Sequence, residues 1–256
     1  MRAAVAFIGL GAMGGPMAAN LVAAGYAVTG FDPDTTVDGV RPASSAADAV
    51  RDADVVITVL PSGDHVLDCY AGLVTVARAD ALFVDCSTIG VADARVAHDL
   101  AADAGRRAVD APASGGVAGA TAGTLTFTVG GDDEDYARAE PVLAAMGREV
   151  VHRGRSGAGQ AAKICENVVL GLSLIAAREA FALGREFGLD DRVLAEIAAT
   201  ALDRGRALTT GCPDPGRAFP TGPAAEDLGL AADALRANGF DLRAADLRAR
   251  FTAGSA

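Results

Sequence analysis

The sequence predicts an α/β fold, a doubly wound parallel sheet followed by a smaller all-α domain, and three observations predict it. A compact apolar strand near the start of the chain runs into a glycine turn and then a helical segment. Short apolar strands and amphipathic segments alternate from there to residue 157, the pattern left by parallel strands joined through helices. From Ala158 a helical period of apolar residues replaces that alternation and runs to about Phe187. With 256 residues, 51% of them apolar, the chain can bury a sizeable core, and the change of pattern divides it into domains over 1–157 and 158–256.

Taken in order, the first strand covers Ala3–Ile8 and leads through Gly9-Leu10-Gly11-Ala12-Met13-Gly14 into a helix over Gly15–Ala24. In such a turn the first glycine permits a tight reversal and the second lets a pyrophosphate approach the backbone. The third lets helix pack on strand, with the helix N-terminus facing the anion. The second strand, Ala27–Phe31, is followed by Asp32, placed where an acid accepts hydrogen bonds from the adenosine ribose and repels a 2′-phosphate. Together these predict a Rossmann-type site for NAD. A helix at Ala46–Asp52, a strand at Val55–Leu60, a helix at His65–Leu73, a strand at Ala81–Asp85 and a helix at Val91–Ala104 follow. Ligands of such sheets lie beyond the carboxyl ends of the strands, so Leu60, Pro61 and Thr88 are candidate cofactor contacts. Ser87 and Thr88 fit equally as helix caps, and His65 fits either the cofactor or plain surface.

The next strand, Arg107–Val109, delivers Asp110-Ala111-Pro112-Ala113-Ser114-Gly115-Gly116, and a strand at Leu125–Val129 returns. Ser114 offers a hydroxyl, and Gly115 and Gly116 offer unobstructed backbone N–H groups, which suits a small carboxylate. A tight loop that uses glycine only for its backbone freedom is the competing reading. A helix at Tyr136–Ala145 and a strand at Glu149–His152 precede the long helix, which carries Lys163, the one lysine among 22 basic residues. Arginine keeps its proton in a protein, whereas a lysine partly withdrawn from water can release one, so this amine is a candidate for proton transfer rather than a solvated helix lysine. Asn167 lies four residues on, on the same helix face, where it could hold the same substrate oxygen; Gly159, a turn earlier, would leave room for a ligand. Asp190–Thr200, Ala224–Ala237 and Leu242–Arg250 read as further amphipathic helices.

Composition narrows the partners. A net charge of −11 excludes a nucleic-acid backbone as ligand, which needs a basic face. Cys69, Cys86, Cys165 and Cys212 have no metal or redox spacing and are expected to be reduced, buried and small. None of the three histidines has the neighbours of a triad or metal site, and His98 and His152 read as surface residues, so no metal is expected. The longest apolar stretch, Val168–Ala177, is too short to span a bilayer and reads as a buried helix. No basic segment precedes the first apolar run, so a cytoplasmic protein without a membrane partner is expected. The small helical domain buries little apolar surface alone, and a homodimer or homotetramer would supply the rest.

These motifs, in this order across residues 1 to about 190, resemble the β-hydroxyacid dehydrogenase family, most closely its 3-hydroxyisobutyrate branch. The resemblance rests on Gly9–Gly14 with Gly15-Pro16-Met17, Asp85-Cys86-Ser87-Thr88-Ile89, Asp110–Gly116, Gly123-Thr124-Leu125-Thr126-Phe127 and Gly157–Asn167. It implies that Lys163 is the catalytic acid/base, that Asn167 assists at the substrate, and that Ser114, Gly115 and Gly116 receive the substrate carboxylate. It further implies that Gly9, Leu10, Gly11, Ala12, Met13, Gly14, Asp32, Leu60, Pro61, His65 and Thr88 contact NAD. The reaction implied is oxidation of 3-hydroxyisobutyrate to methylmalonate semialdehyde, as in valine breakdown. Reduction of another small semialdehyde, such as tartronate or succinate semialdehyde, would use the same motifs, and a weakened NAD(H)-binding member would keep most of them. Beyond residue 200 the pattern departs: the second lysine of the family is missing, Glu226–Leu230 is its nearest remnant, and the helical domain is shortened.

Overall fold

The computed structural model describes residues 2–210. Strands β1 (Ala4–Ile8), β2 (Ala27–Phe31), β3 (Arg41–Pro42), β4 (Val55–Thr58), β5 (Leu82–Asp85), β6 (Arg107–Asp110), β7 (Ala113–Ser114), β8 (Leu125–Gly130) and β9 (Gly147–Gly154) form one sheet. Its order is β3-β2-β1-β4-β5-β6-β8-β7, with β9 on β8. Helices α1 (Gly14–Ala23), α2 (Ala46–Val50), α3 (Gly63–Leu73), α4 (Val91–Asp103), α5 (Gly116–Ala122) and α6 (Asp133–Leu143) flank it, and α7 (Ala158–Glu186) and α8 (Asp191–Thr210) follow.

Side-chain alternation builds the two layers. Successive strand residues face opposite sides, so Val5 and Phe7 of β1, Val55 and Ile57 of β4, and Leu82 and Val84 of β5 enter one core with α1 and α6. Ala6, Ile8, Val56 and Phe83 enter the other, with α2, α3 and α4. Central strands buried on both faces read as continuous apolar runs, as Val55-Val56-Ile57 does. Serines cap two of the helices: the side chain of Ser45 accepts the Asp48 N–H and that of Ser62 accepts the His65 N–H.

The sheet is mostly parallel rather than wholly so. β8 runs antiparallel to β6 and β7. A parallel crossover needs a dozen or more residues, usually with a full helix. The chain instead spends the segment after Asp110 on β7 and the seven-residue α5 and comes back reversed. These two elements, with β3, carry too little periodicity to be visible in the sequence.

The chain divides into a unit Met1–Glu166 and a second unit that opens at Asn167. In the second, α7 and α8 pack through Gly184, where a Cβ would collide with the buried Leu194. The helix expected at Asp190–Thr200 is longer than its pattern, and those expected at Ala224–Ala237 and Leu242–Arg250 lie outside the described residues. Val168–Ala177 is helical but not buried: Val169 is 66% exposed and Leu172 63%. By length and a mean hydropathy of 1.4, α7 also meets the requirement for a membrane span, which the ten-residue apolar stretch read alone did not. Cys86 is buried as expected, but Cys69 is only half-buried and Cys165 is exposed; all three are free thiols, and Cys212 lies outside the described residues. His98 and His152 are half-buried rather than superficial, His152 stacking on Tyr136 with ring centroids 4.7 Å apart.

Candidate active site

The cofactor turn is built almost entirely from backbone. Gly9 has φ 94°, and a Cβ there would strike the Val59 carbonyl, while a Cβ on Gly14 would strike that of Gly9. At Gly11 a Cβ would meet nothing, so the backbone is open to a ligand. A cavity of about 800 Å³, within the usual range for ligand sites, opens at the carboxyl ends of β1, β2 and β4. Gly9, Gly11, Ala12, Met13, Gly14, Asp32, Leu60, Pro61 and His65 all line it. Leu10 and Thr88 do not. The Leu10 side chain is 3% exposed and packs in the core, so its contribution is its backbone, whose N–H donates to Asp32 Oδ2 at 2.8 Å. Thr88 is exposed outside this cavity.

Asp32 also accepts the Asp34 and Thr35 N–H groups at Oδ1, both at 3.0 Å, so the acid that faces the cavity also fixes the turn. The lining includes Asp32, Asp34 and Asp68 and, among the described residues, no arginine or lysine. Open glycine backbone, an α1 N-terminus and an acid after β2 fit a dinucleotide.

The second half of the site grows from the same edge. Ile8, Thr58, Asp85 and Asp110 lie in register across β1, β4, β5 and β6. Asp110 receives the head of α7: its Oδ1 accepts the Gly157 N–H at 2.7 Å and its Oδ2 the Gln160 N–H at 2.8 Å. Close approach there depends on Gly159, where a Cβ would collide with the Thr128 and Asp110 carbonyls. Gly159 thus makes room for the sheet, not for a ligand as its position suggested. Gln160, fully buried, donates to the Ser87 carbonyl at 2.7 Å and accepts the Ile89 N–H at 3.1 Å. Ser87 in turn accepts the Leu60 N–H at 2.8 Å and donates to Asp85 at 2.6 Å, and Thr58 donates to Asp85 at 2.8 Å. One polar chain therefore ties a lining residue of the cofactor cavity to the first turn of α7.

The next turn presents Lys163, 8% exposed. Its Nζ donates to Ser114 Oγ at 2.5 Å and lies 3.2 Å from Glu166 Oε2, which also accepts the Ser114 hydroxyl at 2.5 Å. Lys163 and Ser114, 49 residues apart in sequence, are thus brought together. Gly115 and Gly116 follow at the exposed start of α5, with φ 129° and 61°. Asn167, exposed, is the first residue of the second unit, one turn farther along the same helix. Sequence reasoning missed Glu166, the one acid between Gly157 and Asn167, although its i+3 spacing from Lys163 was a usable signal.

Burial pushes Asp85 up to about 6 against the Ser87 and Thr58 hydroxyls, which pull it down. It does the same to Asp110, also to about 6, against the Gly157 and Gln160 N–H groups. At Glu166 partial burial acts upward, but the Ser114 hydroxyl and Lys163 together hold the carboxyl below its ordinary value.

A dinucleotide cavity joined to a buried amine on a serine hydroxyl defines the class: a nicotinamide-dependent dehydrogenase. Residues 4–154 match the NAD binding domain of 6-phosphogluconate dehydrogenase, and residues 157–254 match the family described as NAD-binding of NADP-dependent 3-hydroxyisobutyrate dehydrogenase. A probable 3-hydroxyisobutyrate dehydrogenase of Mycobacterium tuberculosis is 46% identical over 275 residues, covering 98% of this chain and 93% of the relative. An NAD-dependent L-serine dehydrogenase of Pseudomonas aeruginosa is 44% identical over 256 residues, 91% of this chain and 86% of the relative. A solved structure of the Mycobacterium tuberculosis 3-hydroxyisobutyrate dehydrogenase with L-serine superposes with a TM-score of 0.75 at 46% identity, over 99% of this chain and 94% of that one. The chain belongs to the 3-hydroxyisobutyrate dehydrogenase family of β-hydroxyacid dehydrogenases, and it is an NAD(P)-dependent 3-hydroxyacid dehydrogenase acting on a CH–OH donor.

Proposed function

We propose that this enzyme oxidises 3-hydroxyisobutyrate to methylmalonate semialdehyde with NAD, and that Lys163 is its general acid/base. The observation that carries the reading is the buried Lys163 amine on the Ser114 hydroxyl, a proton-handling group beside a carboxylate cradle. Ser114 with the Gly115 and Gly116 backbone holds the substrate carboxylate and so fixes the carbinol carbon. Lys163, as the free amine, takes the hydroxyl proton; in the reverse direction its ammonium returns one to the carbonyl oxygen. Asn167 steadies the same oxygen. Bound NAD supplies the hydride acceptor, held by the Gly9–Gly14 turn, Asp32 and the Leu60-Pro61 segment. An acid-lined cavity without a lysine or arginine among its described lining residues supports NAD over NADP, because a 2′-phosphate would find repulsion and no counterion.

A second reading, oxidation of L-serine by the same residues, is supported by the L-serine dehydrogenase relative and by the L-serine named with the solved structure. The exposed apolar face of α7 supports a homodimer or homotetramer, and the free thiols fit a cytoplasmic setting. The purified protein, assayed for reduced nicotinamide with 3-hydroxyisobutyrate, L-serine and other short hydroxyacids, each with NAD and NADP, tests the proposal. The highest kcat/KM is expected with NAD and 3-hydroxyisobutyrate. No turnover of any hydroxyacid, or a preference for NADP, would overturn the corresponding part.

A further inference from the structure

The Lys163–Ser114 pair carries an acid that the reaction above does not use. Glu166 spends only Oε2 on Ser114 and Lys163; Oε1 has no hydrogen-bond partner among the described residues, and the side chain is 46% exposed. The carboxylate thus occupies one of the donors proposed for the substrate carboxylate, the Ser114 hydroxyl, while offering a free acceptor beside it. A cavity of about 640 Å³ joins Ser114 and Glu166 to Arg148 and Arg153, both exposed and both without a hydrogen bond or ion pair among the described residues. A simple hydroxyacid brings a single negative charge. It can use the arginines and Lys163, but it must crowd or displace Glu166, and like charges sharing one donor are unfavourable. A zwitterion has use for both signs.

Resting on the dehydrogenase reading of this same site, we propose that Glu166 is its specificity determinant. Its carboxylate is the counterion for the ammonium group of 3-hydroxy-2-ammonio acids, which the enzyme accepts beside, and in competition with, unsubstituted 3-hydroxyacids. The ammonium donates to Glu166, relieving its hold on the Ser114 hydroxyl, and that hydroxyl turns to the substrate carboxylate. L-serine is the smallest member of the class. 3-Hydroxyisobutyrate, of similar size with a methyl group in place of the ammonium, is its matched control.

The test compares kcat and KM for both compounds in the wild type, Glu166→Gln and Glu166→Asp, with NAD affinity measured alongside. Glu166→Gln is expected to lower kcat/KM for L-serine about tenfold, mostly through KM, the scale of one lost charge-assisted hydrogen bond. For 3-hydroxyisobutyrate it should raise kcat/KM, because the charge its carboxylate must displace from Ser114 is gone, and Glu166→Asp should keep part of the L-serine activity. Equal losses on both substrates with the glutamine variant would reduce Glu166 to a structural role and overturn the proposal. So would an unchanged L-serine KM, or a wild type that turns over 3-hydroxyisobutyrate but not L-serine. If the wild type turns over neither, the dehydrogenase assignment itself fails, which is a separate result.

Discussion

The cofactor turn and the lysine corner lie on one edge of one sheet and are made by opposite means. The turn is local and is built from backbone: Gly9, Gly11 and Gly14 act through the side chains they lack, and Asp32 ties the loop down through three backbone N–H groups. The corner is non-local and is built from side chains, joining Ser114 to Lys163, Asp110 to Gly157 and Gln160, and Ser87 to Gln160 across 47 to 73 residues of sequence. Removing one group from the corner should therefore cost far more turnover than cofactor affinity.

Lys163→Ala tests this most severely. Turnover should fall about 10³-fold, the usual worth of a positioned general acid/base, while NAD affinity stays near wild type, because the amine lies on Ser114 and the Gly9–Gly14 turn is intact. Rapid-mixing turnover and fluorescence titration of NAD measure the two halves; comparable losses in both would mean that turn and corner are one unit. Asp110→Asn should have the next largest effect. The amide can accept from only one of the two N–H groups that Asp110 now serves, leaving a buried donor of α7 facing another donor. A loss of about 2 kcal/mol in stability and about tenfold in kcat is expected, with NAD affinity little changed. An unchanged kcat would show that the helix head holds Lys163 without its cap.

The same contrast explains what the sequence revealed. Gly9–Gly14 and Asp32 were legible because a backbone-made site is a matter of spacing within one strand, turn and helix. Lys163 was legible for a different reason, its isolation in an arginine-only background, and Ser114 through the two glycines behind it. Asp110 as the cap of α7 and Gln160 as the bridge between Ser87 and Ile89 were not, since no local pattern reports a partner dozens of residues away. Glu166 was hidden by its ordinariness, as a helix acid near a lysine usually belongs to a solvated face. Leu10, which the resemblance implies as a cofactor contact, serves the turn through its N–H while its side chain fills the core, a division that spacing does not report. The apolar run from Val168 showed its helical period, not its exposure, because periodicity says which residues share a face and nothing about what meets that face.

The mildest test reaches the floor of the corner, where Asp85 and Asp110 are both raised to about 6 by burial from an ordinary 3.8. Between those values the folded chain keeps protons that the unfolded chain has already released. Stability attributable to these two groups is therefore greatest below pH 3.8, falls as pH rises through the window, and is level above about 6. The scale is about 3 kcal/mol per group at most, and less than additive, since each carboxylate raises the cost of ionising the other. Glu166, Asp48 and Asp191, all lowered, contribute the opposite slope at lower pH, so the measurement is the difference between two proteins rather than one profile. Asp85→Asn is suited to it: Oδ1 keeps the Thr58 and Ser87 bonds, and Oδ2, buried and without a hydrogen-bond partner among the described residues, has none to lose when it becomes an amide nitrogen. Denaturant melts of the two proteins from pH 4 to pH 7 should show the variant gaining relative to wild type as pH rises, with NAD affinity unaffected. A constant difference across that range would mean that Asp85 stays ionised in the folded chain, and that the corner rests on a buried charge rather than on a buried acid.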